Sequence, residues 1–211
     1  MKEWAEDHPK AKAMRRKRQA ILTAGRTAFL RTGYTATSMD AIAQIAGISL
    51  MTLYRHAESK DELFAAVVTG ACSAEDEAEQ RYLLKLMDLD LPDVLRLSAI
   101  HMQSKLTHPD TIALMRLVIA EAASFPHLLA LAHDGFVGHF ERVALQIIEQ
   151  KWNGQDPKRA VAASRVFVER VVGSDVLRIL LGQPAPSEVE QERRGIQARD
   201  DTLQALGVST A

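Results

Sequence analysis

Between positions 49 and 60 the chain sets out Ser49, Thr52, Tyr54, Arg55 and Lys60 at spacings suited to one short helix and the first turn of the next. Hydroxyls, a phenol and two permanent cations without an acid–base partner are groups that hydrogen-bond to phosphate oxygens and base edges. They do not form a reaction centre. Tyr54, Arg55 and Lys60 are the natural phosphate partners, and Lys60 falls at a predicted helix start, where backbone N–H groups also favour an anion. Ser49, Leu50, Met51 and Thr52 lie on the turn that would face outward.

Those residues need a scaffold. Two short helices that cross steeply through a tight turn require a small residue at the crossing, a glycine in the turn and apolar facing sides. Ala43 is the small residue, Gly47 supplies the turn, and Ile42, Ala46, Ile48 and Leu53 are the inward faces. Ahead of them Ile21, Ala24, Gly25, Ala28 and Phe29 recur at helical spacing, predicting a helix over 12–32 whose opening turns carry Arg15, Arg16, Lys17 and Arg18. Gly33 should stop it. Thr37 or Ser38 can cap a short second helix running to Ala46, Ser49 a third reaching Arg55, and Ser59-x-x-Glu62 forms a capping box that opens a fourth.

The charge follows the same division. Residues 1–60 hold eleven Lys or Arg against five Asp or Glu, a balance of +6, while the remainder carries −7, so a total of −1 conceals a basic head on an acidic body. Such asymmetry points to a polyanion on one side only. A helix-turn-helix over 12–60, entering a major groove, is the expected domain; Met1 to Lys10 reads as polar, and residues 1–11 are expected to be a flexible arm.

Beyond Lys60 longer helices are expected over 60–86, 92–107, 109–123, 127–152, 157–181 and 186–206, three of them opening on Pro92, Pro109 and Pro157. No period-two pattern of β-branched residues appears, so the fold class is all-α. Apolar runs fall far short of a membrane span and charges occupy the N-terminus, which leads us to expect a soluble, cytoplasmic protein without membrane contact. The single cysteine, Cys72, fits a reducing compartment and simple packing.

The block Phe29-Leu30-Arg31-Thr32-Gly33-Tyr34-Thr35-Ala36-Thr37-Ser38-Met39, followed by Ile42-Ala43, Ala46-Gly47, Thr52-Leu53-Tyr54 and Ser59-Lys60-Asp61-Glu62-Leu63-Phe64, resembles the N-terminal signature of TetR/AcrR-family transcriptional regulators. The resemblance implies about nine helices, a three-helix DNA-binding head, and a body over 61–211 that forms a homodimer and encloses a ligand pocket. Its conserved contacts fall on Tyr54 and Lys60 for phosphate and on Ser49, Leu50, Met51 and Thr52 for the base-facing turn; Ser38 and Arg55 complete the expected DNA-binding set. The implied function is that of a repressor on a palindromic operator, released by a small, partly apolar molecule. The alternatives are a regulator that activates and a helical interaction protein whose helix-turn-helix is vestigial. The sequence departs from the family's usual pattern at Leu50-Met51, where polar or small residues are more common; apolar side chains there can touch thymine methyls but cannot hydrogen-bond purines.

For the pocket, Met102, Met115, Phe136, His139, Phe140 and Phe167 are candidate walls, with His101 and Arg116 as polar anchors. Val161, Val168, Val171, Val172, Leu177, Ile179, Leu180 and Leu181 give the penultimate helix an apolar surface that a four-helix bundle across a twofold axis would bury. Catalysis is not expected, because no nucleophile, base and oxyanion donors converge. No cofactor or metal is expected either: His127, His133 and His139 are six residues apart, and each step turns about 600° around a helix, away from a shared face.

Overall fold

The computed structural model describes residues 9–71 and 77–208. Cys72 and most of the expected N-terminal arm lie outside them. Among the described residues the chain is all helical, in twelve α segments: α1 (Pro9–Ala36), α2 (Met39–Ile45), α3 (Leu50–Tyr54), α4 (Lys60–Ala71), α5 (Glu77–Leu86), α6 (Leu91–Leu106), α7 (Pro109–Glu121), α8 (His127–His133), α9 (His139–Lys151), α10 (Pro157–Val172), α11 (Asp175–Leu180) and α12 (Glu188–Leu206). No helix among the described residues is long and apolar enough to cross a membrane.

Twelve segments stand where nine are expected: the helix expected over 60–86 is described as α4 and α5, on either side of residues 72–76, and local backbone events divide two of the other long ones. A π turn at Asp134–Gly138 joins α8 to α9 inside the helix expected over 127–152. There Gly135 lies so close to α4 that an added Cβ would stand 2.7 Å from Val68 Cγ1. The helix expected over 157–181 ends instead at Val172, where Gly173 takes φ +50. α1 begins at Pro9 rather than Lys12, so residues 9–11 of the expected arm are helical.

Caps fix most boundaries. Asp90, His108 and Asp156 accept backbone N–H groups ahead of α6, α7 and α10. Ser187 and Glu190 form a complete capping box on α12, and Gly207 ends that helix in the left-handed region. At α4 the box is altered: Ser59 Oγ accepts Glu62 N–H (3.1 Å), but Glu62 Oε2 accepts from Glu58 N–H (2.6 Å), one residue upstream of the cap.

The head buries Ile21, Ala24, Ala28 and Phe29 from α1 against α4, with Ile42 and Leu53 from the crossing helices. In the body α12 is sandwiched against α6 and α10, and α9 closes the other side of α10. Between head and body, α7 lies against both α1 and α4, and α8 against α4.

Candidate nucleic-acid interface

Ser38 Oγ accepts Ala41 N–H at 3.1 Å and starts α2, which buries Met39, Ile42 and Ala43. At its other end Gly47 takes φ +65, a left-handed conformation that costs a side-chain-bearing residue but not glycine. The N–H of Ile48 then reaches back to Ala43 O (3.0 Å) and that of Gly47 to Gln44 O (3.1 Å), the paired bonds of a Schellman stop. Ser49 next caps α3 by accepting Thr52 N–H (3.2 Å), while Leu53, fully buried, pins the helix to the head. With one face fixed, the opposite face of α3 is presented to solvent. Met51 (77% exposed), Tyr54 and Arg55 occupy it, with Leu50 at its edge.

Positive charge flanks this face. Arg15, Arg16, Lys17 and Arg18 are exposed on the opening turns of α1. Partial burial, and after it the nearby charges of Lys17, Arg18 and Arg55, push the His56 imidazole below its ordinary pKa. The end of α3 and the start of α1 therefore form one basic margin, as a surface that grips a phosphate backbone on either side of a groove-inserted helix requires.

Lys60, expected on phosphate, is used differently. Its ammonium donates to the carbonyls of Tyr34 (3.0 Å), Thr35 (3.4 Å) and Thr37 (3.1 Å), and sits 4.4 Å from the centre of the Tyr34 ring. Three acceptors match the three N–H donors of an ammonium, so a phosphate contact would displace one of them. Those carbonyls belong to the broken end of α1, where Gly33 adopts φ 80, ψ 169, a region open essentially to glycine alone. From the body, Glu121 at the end of α7 accepts Tyr34 N–H (3.1 Å) and Thr35 N–H (3.3 Å) through Oε1, and the Thr35 hydroxyl (3.0 Å) through Oε2. Asp61 accepts from the Tyr34 phenol and pairs with His127 Nε2 at 3.0 Å. Phe125 lies edge-on to Tyr34, 5.1 Å between centroids. Head and body are thus joined at Tyr34 by an apolar stack with a charged rim.

Residues 21–67, the interval that contains this arrangement, match the model for bacterial regulatory proteins of the tetR family. The whole fold is shared as well. The Flavonoid-responsive Regulator FrrA is 30% identical, with a TM-score of 0.59 over 90% of this chain and 96% of that one. The chain belongs to the TetR family. Two further solved structures, TetR-type regulators from Mesorhizobium loti and Agrobacterium tumefaciens, share its fold at 23% identity each. Their TM-scores are 0.65 and 0.63; the first covers 90% of this chain and 96% of its own, the second 89% and 93%. Among curated proteins the sequence finds no match.

In the body of this TetR-family regulator a cavity of about 220 Å³ opens between α6, α7, α8, the π turn, α10 and α11. Leu106, Met115, Val118, Ile119, Ala132, His133, Phe136, Val137, Val172, Val176 and Leu180 line it. Of the candidate walls, Met115 and Phe136 are there. Met102, Phe140 and Phe167 are buried outside the lining as ordinary core, because their helix faces point into the α6–α9–α10 contacts. His101 lies 3.3 Å from Glu79 on α5, and His139 lies tilted beside the Phe140 ring outside the cavity; burial pushes both imidazoles below their ordinary range. Arg116 does not enter either. Its guanidinium donates to Ile179 O (2.8 Å) and Leu180 O (3.2 Å), holding the end of α11 against α7.

His133, weighed from the sequence only as a metal ligand, is the one polar ring in the cavity wall, and Glu121 carries no sequence signal beyond a carboxylate ending an apolar helix. Val168, Val171 and Ile179, expected at a subunit interface, are all buried within the protomer. The apolar residues left outside are Val161, Leu177 and Leu181, joined by Val189 and Ile196 from α12.

Proposed function

We propose that this protein is a dimeric, ligand-responsive transcriptional repressor, in which α3 enters the major groove of a twofold operator and a small, largely apolar molecule releases it. The observation that carries the reading is the capped, one-sided α3, with Leu53 buried, Met51, Tyr54 and Arg55 outward, and the basic turns of α1 at its margin. Ser38 and Ser49 hold the two helices at the crossing, and Tyr54 with Arg55 grips phosphate. Lys60 contributes by fixing the end of α1 and, where it yields a carbonyl, by meeting phosphate.

Release requires a ligand that binds the two states of the protein unequally. α7 supplies that connection. Met115, Val118 and Ile119 of α7 line the cavity, and Glu121 at its end holds the broken terminus of α1. A molecule that filled the cavity would move α7 against α11 and disturb the grip on Tyr34 and Thr35. The flavonoid response in the name of the 30% identical relative supports an effector with a flat, apolar body, and the apolar residues outside α10, α11 and α12 support a second copy of the chain on that side. Two copies then predict half-sites about one helical turn apart or more, roughly 34 Å. A gel-shift titration of the gene's upstream region at two salt concentrations tests the reading. Binding that weakens steeply with salt is expected; indifference to every duplex overturns it.

A further inference from the structure

The first turn of α3, ahead of the Tyr54 and Arg55 assigned to phosphate, carries very little that could hydrogen-bond a base. Ser49 Oγ accepts Thr52 N–H and shares a second hydrogen bond with Thr52 Oγ1 (2.9 Å), so the two hydroxyls that flank the exposed turn are partnered with each other. On the preceding helix Gln44 Nε2 is held by Asp40 Oδ2 at 2.7 Å. What projects furthest between them is the Met51 side chain, 77% exposed, with Leu50 beside it. Met51 stands on the face of α3 opposite buried Leu53, and Leu50, 36% exposed, at the edge of that face.

The major-groove edge of DNA offers these side chains one apolar partner, the C5 methyl of thymine. Any other edge would bury amino, carbonyl or ring-nitrogen groups against a thioether and leave them without partners, which disfavours those bases. We propose that Met51, assisted by Leu50, is a specificity-determining residue that reads C5-methylated pyrimidines, so that each half-site carries a thymine where Met51 lands. The inference rests on the DNA-binding reading above and extends it to the chemistry of the base recognised. It has a corollary: 5-methylcytosine presents the same methyl and should replace thymine better than cytosine does.

The test starts from a random-sequence duplex library enriched on the full-length protein, after which the selected duplex is resynthesised with uracil for thymine, one position at a time. Uracil keeps the pairing and removes only the methyl. One symmetric pair of positions is expected to lose about fourfold in affinity per half-site, the effect of one methyl-sized group left in water. In Met51→Ala and Met51→Gln, both altered at an exposed position and checked for native circular dichroism, that thymine–uracil difference should vanish. Cytosine at the same position should bind more weakly than 5-methylcytosine in the wild type alone. Selective binding with uracil equal to thymine at every position overturns the proposal and leaves the regulator standing, as does a methyl effect that survives both variants. Failure to enrich any duplex overturns both.

Discussion

Replacing Glu121 by alanine should loosen the joint between head and body without touching either the DNA face or the cavity wall. The carboxylate accepts two backbone N–H groups and one hydroxyl from Tyr34 and Thr35, at 3.1, 3.3 and 3.0 Å. Hydrogen bonds to a charged partner contribute about 1.5–3 kcal/mol each, but Thr35 is exposed and water can replace its two; Tyr34 N–H is partly buried and is left poorly served. We expect a net loss of about 2–3 kcal/mol. For a chain of this size each 1 kcal/mol shifts Tm by about 2–4 °C, so the variant should melt about 4–12 °C below wild type. Glu121→Gln, which retains an acceptor oxygen, should lose less than half of that. Native-state hydrogen exchange is the second assay, with protection of the Tyr34 and Thr35 amides collapsing while the Leu53 and Ile42 amides exchange as before. A wild-type Tm together with a protected Thr35 amide would refute the assignment of Glu121 as the clamp.

Tyr54→Ala and Lys60→Met should part company: the first, at an exposed site, leaves stability within about 0.5 kcal/mol and weakens binding to all duplexes alike, whereas the second costs about 2 kcal/mol through the carbonyls it abandons. Urea unfolding beside gel shifts separates them, and equal stabilities would contradict the role given to Lys60. Ala132→Leu, aimed into the cavity, should change stability by less than about 1 kcal/mol because space is waiting for it, and should reduce the fluorescence of bound 1-anilinonaphthalene-8-sulfonate; a cost of about 3 kcal/mol would show the site to be already filled. His101 and His139 are held below the ordinary imidazole pKa of 6.5, chiefly by burial, against the pull of Glu79 and Asp134 respectively. The unfolded chain therefore binds more protons as pH falls, so their contribution to stability is complete above about pH 6.5 and is lost as pH drops through the folded-state values. Thermal melts from pH 7.5 to 5.5 should decline in the wild type and decline less in His101→Gln/His139→Gln; parallel curves would contradict it.

The head was legible in the sequence because its instructions are local. Ser38 and Ser49 cap within three residues of themselves, Gly47 turns where a side chain would strain, and the Ile21-to-Phe29 stripe faces one way at helical spacing, so the crossing and the exposed α3 follow from neighbours in the chain. The all-helical class followed for the same reason. The body resisted, since a Met or Phe on an apolar face says only that the face is buried, and whether it meets a cavity, as Met115 and Phe136 do, or plain core, as Met102 and Phe167 do, depends on how far apart distant helices stand. Lys60 and Glu121 show the limit most clearly. By sequence one is a cation at a helix start and the other an acid at a helix end; only the folded chain brings them, from 27 and 88 residues beyond Gly33, to Tyr34 and Thr35 just past the break, where the Thr37 hydroxyl serves the Gly33 carbonyl and distant side chains meet the remaining groups.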